Sequence, residues 1–211
     1  SASNAKALGH MEFSVSSSQE VSLIKAENLI SYDDSRLNAS HVGLKSLIDG
    51  YVAQIEPLLN EVIIRSSASY GRSELTEFMA KIIRQAAGSD VGIHNSGGTR
   101  ETLNQGQEMT IGTTYEIFPF DNQIISAKIS GRDLISLFTN SSVAYSLKDG
   151  LSTSDINPDE YYWVSTNDYV FGNYDAFQNY IELFMPETVD RIAFEDELRR
   201  QAETSTQFVI S

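Results

Sequence analysis

Apolar residues recur at helical spacing between residues 42 and 59. The positions are Val42, Leu44, Leu47, Ile48, Tyr51, Val52, Ile55, Leu58 and Leu59. This period predicts a long amphipathic helix that tolerates Gly50 and ends between Pro57 and Asn60. Asn38 or Ser40 precedes the pattern and supplies a capping side chain.

A second helix is predicted from Ser73 to Ala87. Its apolar stripe comprises Leu75, Phe78, Met79, Ile82 and Ile83. Ser73 is the expected cap, and Gly88 lies just past the end, where a left-handed residue commonly closes a helix.

The remaining elements are shorter. Strands are predicted at residues 20–30 (an alternating edge strand), 62–64, 91–95, 123–129 and 161–165. Helices are predicted at residues 110–117, after Ser130, and at 177–185 and 194–202. Helices and strands mix without strict strand–helix–strand alternation, which indicates an α+β fold.

Composition narrows the function. The 211 residues fit one domain, and the net charge of −14 argues against nucleic-acid polymers, which bind through Lys and Arg. There is no cysteine for disulfides or thiolate chemistry. No apolar run approaches the ~20 residues of a membrane span.

The beginning of the chain has the composition of an expression remnant. Residues 1–11, SASNAKALGHM, are therefore excluded from the fold prediction. Residues 12–41 are predicted to form a linker and an edge strand, and residues 42–211 the main domain. No signal peptide is recognisable in these residues.

The stretch from His94 to Phe120 carries the candidate chemistry. Asn95 enters a turn in which Gly97 and Gly98 let the backbone approach a ligand closely. Arg100 supplies a planar donor fork, and Phe120 follows a φ-locked proline. An amide, a guanidinium and an aromatic ring suit a ligand that has a ring and a polar or anionic end.

The order of these motifs resembles the C-terminal domain of the 5'-nucleotidase family, which includes UDP-sugar hydrolases. The motifs are N-S-G-G-T-R at 95–100, G-x-x-x-T-I-G at 106–112, P-F-D-N-Q at 119–123 and S-G-R-D-L at 130–134. The resemblance implies layered helices covering two central mixed sheets and a secreted, periplasmic or cell-surface location. It also implies a nucleoside or nucleotide ligand, with hydrolysis in a separate metallophosphoesterase domain, in cis or in trans.

The resemblance also assigns roles to individual residues. Asn95 matches the residue that contacts the base, and Arg100 the one on the ribose or phosphate side. Phe120 and Tyr169 match the two aromatic faces of a base sandwich. Asp175, six residues after Tyr169, matches the acceptor of ribose hydroxyl groups. We expect Phe120 and Tyr169 to lie in loops after strands and to face each other.

Two departures stand against the family pattern. Asn173-Tyr174 replace a Gly-Gly pair, and tyrosine adopts left-handed backbone poorly. The family's additional arginine aligns with Ser69, and Glu77 stands where an asparagine belongs. Arg65 or Arg72 is the candidate substitute for that arginine.

The sequence contains no catalytic site of its own that we recognise. His10, His41 and His94 are the three histidines, and none lies in an H-x-x-x-H, D-x-H or G-N-H segment. Neither a G-x-S-x-G segment nor a P-loop is present. We therefore expect no metal or cofactor in this chain. The resemblance implies that divalent metals lie in the separate metallophosphoesterase domain. The alternative is a non-catalytic relative that retains the fold for ligand or protein binding.

Overall fold

The computed structural model describes residues 6–30 and 42–210, which fall into two compact units, Ser1–Glu56 and Pro57–Ser211. In the first unit, β1 (Ala7–Val15) and β2 (Val21–Ile30) form an antiparallel hairpin. β1 includes His10 and Met11, so the predicted boundary after residue 11 falls within a strand. The domain boundaries stay a prediction.

The helix α1 (Val42–Leu59) has the predicted bounds. None of its residues is buried, and Leu44, Tyr51 and Ile55 are each at least half exposed. Its predicted caps, Asn38 and Ser40, lie outside the described residues.

The second unit contains the remaining elements. In chain order they are β3 (Val62–Ser66), α2 (Arg72–Ala87), β4 (Val91–Asn95), β5 (Glu108–Thr110), α3 (Ile111–Ile117), β6 (Ile124–Ser130), α4 (Gly131–Phe138), β7 (Val143–Leu147), β8 (Tyr161–Asn167), α5 (Asp168–Asn173), β9 (Glu182–Phe184), α6 (Asp190–Ala202) and β10 (Gln207–Phe208).

Two mixed sheets organise these elements. The smaller has the order β10-β3-β5, with β10 parallel and β5 antiparallel to β3. The larger has the order β7-β4-β8-β6-β9, in which β4 and β8 are parallel and the other pairs antiparallel. Both sheets carry helices, so the expected α+β architecture with two mixed sheets is confirmed.

The apolar stripe of α2 packs into the first core cluster. Phe118, Phe194 and Phe208 also belong to this cluster and are almost fully buried. On β4, a methyl group at Gly92 would lie 2.0 Å from the Ala80 carbonyl oxygen of α2. Glycine at this position therefore allows the helix to approach the larger sheet closely.

The second core cluster lies on the face of the larger sheet opposite α2. Val91 and Ile93 of β4 and Val164 of β8 are fully buried in it, together with Leu134 of α4 and Val170 of α5. Trp163, the single tryptophan of the chain, is half-buried on β8, with the Lys128 ammonium group 5.9 Å from its ring centroid.

Two local predictions were wrong. Gly71 rather than Ser73 is the cap of α2, and its N–H donates to the Glu74 carboxylate at 2.8 Å. The helix predicted for residues 177–185 is a 3-10 turn, Asp175–Phe177, followed by β9, which pairs with β6. The prediction also missed β5, β7 and β10.

Candidate functional site

The segments that contain Asn95, Phe120 and Tyr169 reach one end of the larger sheet. Because β4 and β8 run in parallel, Asn95 and Asn167 end their strands at the same sheet edge. β6 is antiparallel to β8 and pairs Ile124 with Asn167, so the segment after Phe120 enters the sheet at that edge. This topology brings together segments that lie far apart in the sequence.

Asn95 is held by a partner from the neighbouring strand. Its Oδ1 accepts a hydrogen bond from Asn167 Nδ2 at 3.1 Å, and both side chains are buried. The same Nδ2 lies 3.3 Å from Nδ1 of His94. Burial lowers the pKa of His94 to about 3, so this imidazole is neutral at physiological pH.

The double glycine forms a 3-10 turn, Ser96–Gly98, directly after Asn95. A methyl group at Gly98 would lie 2.7 Å from Nε2 and Cε1 of His94. Glycine is therefore needed at 98 for close packing, because the turn lies on the buried imidazole. Gly97 is exposed, beside the Asn95 amide nitrogen.

Arg100 and Phe120 are in contact. The Arg100 guanidinium carbon lies 5.2 Å from the centroid of the Phe120 ring, a distance at which a cation and a ring attract each other. Both side chains are exposed. The backbone N–H of Arg100 donates to the Ile117 carbonyl at 2.8 Å, which anchors the turn to the end of α3.

A buried ionic group fixes the segment after Phe120. Arg191 of α6 donates through Nε to the Asp121 carboxylate at 2.7 Å and pairs through Nη1 with Glu195. Thr114 also donates to the Glu195 carboxylate, at 2.8 Å, and the Arg191 guanidinium carbon lies 3.7 Å from the Tyr115 ring centroid. Phe120 is thus joined to α6 through its neighbour in sequence.

Asp190 lies beside this group. Burial raises the pKa of its carboxyl group to about 7, although hydrogen bonds from Arg191 and Asn122 favour the charged form. The nearby Asp168 carboxylate raises this pKa further. Asp190 is thus a buried acid next to the candidate site.

The third segment is α5. Tyr169 is exposed in this helix, and Asp175 is exposed at the start of the 3-10 turn that follows. Tyr174 is half-buried, and its pKa is raised by burial and by the nearby Tyr169. Its φ of −113° is extended, so this turn does not use left-handed backbone where the family has two glycines. The Asn173 side chain donates to the Tyr169 carbonyl.

The expectation that Phe120 and Tyr169 both lie in loops after strands was wrong. Phe120 follows the helix α3, and Tyr169 is in the helix α5. Their elements do reach the same edge of the larger sheet. That the two rings face each other stays a prediction.

Two clefts open near the site. The larger, of about 700 Å³, is lined by Arg72, Ser73, Thr76, Glu77, Ser96, Gly97, Ser141, Val143, Ala144 and Tyr145. The smaller, of about 380 Å³, is lined by Ser136, Leu137, Asn140, Asn173, Tyr174, Asp175 and Ala176. The Asn140–Ser142 segment contributes to both clefts, and Ser96 N–H donates to the Ser142 carbonyl at 2.9 Å.

The larger cleft bears on the second departure from the family pattern, the missing arginine and Glu77. Arg72 lines the larger cleft, and its Nε donates to the Thr99 carbonyl at 2.8 Å. Arg65 instead pairs with Glu108 on the smaller sheet. Glu77 also lines the larger cleft, which therefore contains charges of both signs.

Over residues 6–30 and 42–210, no group of three or more His, Cys, Asp or Glu side chains has the arrangement to hold a metal ion. None of the helices in this described part of the chain combines the length and apolarity needed to cross a bilayer.

The sequence prediction missed Asn167, Asp190 and Arg191. Asn167 stands two residues before Tyr169, so a polar side chain at the end of a predicted strand was the available signal. Nothing local marked Arg191, because its partner Asp121 is 70 residues away.

The family model described as "5'-nucleotidase, C-terminal domain" matches residues 51–153. A region of 136 residues is 26% identical to Endonuclease YhcR of Bacillus subtilis (strain 168), covering 61% of this chain and 11% of that protein.

Solved structures share the fold. A putative 5'-nucleotidase from Staphylococcus aureus, in complex with alpha-ketoglutarate, superposes with a TM-score of 0.66 at 15% identity, covering 98% of this chain and 50% of that one. A 5'-nucleotidase precursor from Thermus thermophilus gives a TM-score of 0.63 at 16% identity, with 93% and 47% covered. This chain thus spans about half the length of these two proteins. Residues 51–153 belong to the 5'-nucleotidase C-terminal domain family, and the chain has the fold of its solved relatives.

Proposed function

We propose that this chain binds a nucleoside or nucleotide as the substrate-binding part of a 5'-nucleotidase-type phosphohydrolase. The observation that carries the proposal is the common sheet edge. Asn95 ends β4 there, Arg100 and Phe120 contact each other, and Tyr169 is the second residue of the helix α5 that follows β8. At this sheet edge the exposed Phe120 ring can stack on a base, the Arg100 guanidinium can bind an anionic group, and the Asn95 amide can form directed hydrogen bonds.

Hydrolysis belongs to a separate metallophosphoesterase domain in this proposal. That domain would supply the divalent metals and the attacking water, in cis or in trans. The residues of this chain would hold the base and ribose. Asp175, exposed beside the smaller cleft, is the proposed acceptor for ribose hydroxyl groups. A secreted, periplasmic or cell-surface location is part of the same proposal.

Arg72 is the proposed substitute for the missing family arginine. It lines the cleft that contains Gly97, whereas Arg65 pairs with Glu108 elsewhere. Glu77 lies in the same cleft and repels an anion, so we place a phosphate group nearer Arg72 than Glu77.

A specific observation favours the alternative function. Tyr174 replaces a glycine of the family pattern and lies close to Tyr169, one of the two proposed aromatic faces. A tyrosine side chain there narrows the space for a base. In the alternative, the domain is non-catalytic and retains the fold to bind another ligand or a protein.

The test is nucleoside binding to the purified chain. Adenosine and uridine are titrated by calorimetry and by ligand-observed NMR against the wild type and Phe120→Ala. Base–aromatic stacking contributes roughly 1–3 kcal/mol per base, so we expect millimolar affinity, about −4 kcal/mol, and a clear loss in the variant.

Tyr161→Ala is the matched control. Tyr161 is a half-exposed aromatic residue at the opposite end of β8, so its removal should leave binding unchanged. Absence of binding by either nucleoside at millimolar concentration contradicts the proposal. Equal binding by Phe120→Ala rejects the stacking role and favours the alternative.

A further inference from the structure

A chain of hydrogen bonds with a fixed direction runs from α5 to the double-glycine turn. It begins at the backbone N–H of Val170, which donates to Oδ1 of Asn167 at 2.9 Å. A backbone N–H can act only as a donor. The oxygen of the Asn167 amide is therefore fixed toward α5, and its nitrogen toward β4.

The Asn167 nitrogen then faces two groups that must accept. These are Oδ1 of Asn95 at 3.1 Å and Nδ1 of His94 at 3.3 Å. The amide of Asn95 must consequently turn its oxygen inward, and His94 must carry its proton on Nε2. Burial keeps the imidazole neutral, which agrees with an unprotonated Nδ1.

Burial prevents the alternative direction. Asn167 is fully buried, and His94 and Asn95 are 1% and 8% exposed. Inverting the Asn95 amide would place two N–H groups against each other and leave a buried N–H of Asn167 without its acceptor. His94 Nε2 is buried and has no hydrogen-bond partner in the described residues. A second unpaired polar atom in the His94–Asn95–Asn167 cluster would add to this cost.

The side-chain nitrogen of Asn95, Nδ2, points toward the Ser96–Gly98 turn. A methyl group at Gly97 would lie 3.3 Å from this Nδ2. Gly97 is exposed and lines the larger cleft. Within the described part of the chain, no hydrogen bond joins Asn95 Nδ2 to another residue.

We propose that Asn167 is a positioning residue that presents Asn95 to the ligand as a hydrogen-bond donor. The site then selects a ligand with an acceptor at this position, such as a ring nitrogen or carbonyl oxygen of a base, rather than an amino group. The ligand class in this statement rests on the proposed nucleoside-binding function. The direction of the hydrogen bonds does not.

The first experiment measures direction in the free protein. Ring ¹⁵N shifts of His94, assigned with His94→Gln, should show Nδ1 unprotonated and Nε2 protonated. Nuclear Overhauser effects should connect the Asn95 side-chain N–H groups with the Gly97 Hα protons. A proton on His94 Nδ1, or Asn95 N–H groups that contact Asn167 instead, would overturn the proposal whatever the ligand.

Asn167→Asp tests the positioning role. Aspartate still accepts from Val170 N–H but presents an acceptor oxygen to β4. We expect Asn95 to invert and His94 to gain a proton on Nδ1, visible in the same spectra while the backbone fingerprint outside residues 93–100 and 165–172 is retained. Unchanged His94 shifts would count against positioning, since a merely structural Asn167 would not control the tautomer.

The second experiment concerns the ligand. Adenosine is compared with its 1-deaza, 3-deaza and 7-deaza analogues, each of which lacks one ring-nitrogen acceptor. The wild type should bind one analogue up to about tenfold more weakly than adenosine, the range of one neutral hydrogen bond. Asn95→Asp retains the acceptor for Asn167 and loses the donor, so it should bind adenosine and that analogue equally.

The outcomes separate the two proposals. Adenosine binding with no analogue affected, and with Asn95→Asp equal to the wild type, overturns the donor role while the proposed function stands. Absence of all nucleoside binding rejects the proposed function. The spectra of His94 and Asn95 then decide the positioning role by themselves.

Discussion

Burial in the fold favours the uncharged form of two ionisable side chains, Asp190 and His94. His94 has its pKa lowered to about 3, so its contribution to stability is lost as pH falls from about 6.5, where an unfolded histidine gains a proton. Asp190 has its pKa raised to about 7, so its contribution is present at acid pH and is lost as pH rises from about 4 to 7. Between about pH 4 and 6.5 the two slopes oppose each other.

We expect Asp190→Asn to reduce the loss of folding stability that the wild type undergoes between pH 5 and pH 8. Between pH 5 and 8, ionisation of Asp190 should lower the free energy of unfolding of the wild type by roughly 2–3 kcal/mol. The amide of the variant cannot ionise, so the variant should not show this loss. Urea unfolding at both pH values measures the difference. Asp159→Asn is the control, because Asp159 has 86% of its side chain exposed. A variant with the slope of the wild type would contradict the pKa of Asp190.

Arg100→Ala should weaken AMP binding more than adenosine binding. The guanidinium is exposed above the Phe120 ring, and no ion pair involves Arg100 among the residues that the structure describes. A charge-assisted hydrogen bond to phosphate contributes about 1.5–3 kcal/mol before solvent screening. Calorimetry with both ligands checks this, with Arg132→Ala as a control distant in sequence. Equal losses for both ligands would instead mean that Arg100 orders the turn or contacts the ribose.

At the scale of elements, α6 determines where the Phe120 segment lies. Arg191 has 6% of its side chain exposed and Glu195 10%, and both contact residues of α3 or of the segment after it. The strand bridge between Gln123 and Val189 joins the same two regions. A substitution in α6 should therefore shift the Phe120 segment and alter ligand binding, although α6 itself does not contact the ligand.

We expect Arg191→Met to destabilise the fold by about 3–5 kcal/mol, because it leaves the Glu195 carboxylate buried and without its cation. The double variant Arg191→Met/Glu195→Met should recover much of this loss. Arg200→Met on the same helix is the control, since Arg200 is exposed and should give little change. Thermal unfolding of the four proteins decides. If the double variant is as unstable as Arg191→Met alone, the unpaired Glu195 carboxylate is not the cause of the destabilisation.

Elements could be predicted where periodicity alone determines them. The α2 stripe from Leu75 to Ile83 is buried as its spacing predicts. The error at 177–185 has a physical reason: Phe177, Ile181 and Phe184 have helical spacing, but Ile181 N–H donates to the Lys128 carbonyl beside the β6–β9 pairing. Tertiary pairing outweighed local spacing there.

For the site, the sequence pointed to residues near the double glycine and not to the residues that hold them. Asn95, Arg100 and Phe120 lie in one stretch with recognisable turn chemistry. Asn167 contacts Asn95 from 72 positions away, and such a contact depends on strand order that no local pattern specifies.

At the scale of the whole molecule, we expect the purified chain to show no phosphatase, nucleotidase or diesterase activity with added Zn²⁺, Mn²⁺ or Mg²⁺. Two-metal hydrolysis needs clustered ligands, and the described residues offer no such group. Turnover of AMP, UDP-glucose and bis-p-nitrophenyl phosphate is the measurement, with a mock purification as the control. Metal-dependent activity that persists through repeated purification would refute this expectation.

The single tryptophan gives the protein a built-in optical reporter. Trp163 lies on β8 four residues before Asn167, roughly 13 Å along a strand. Its fluorescence emission therefore reports whether the larger sheet is intact, and a ligand at the far end of β8 does not quench it by contact. Unfolding of the larger sheet can accordingly be followed without a dye.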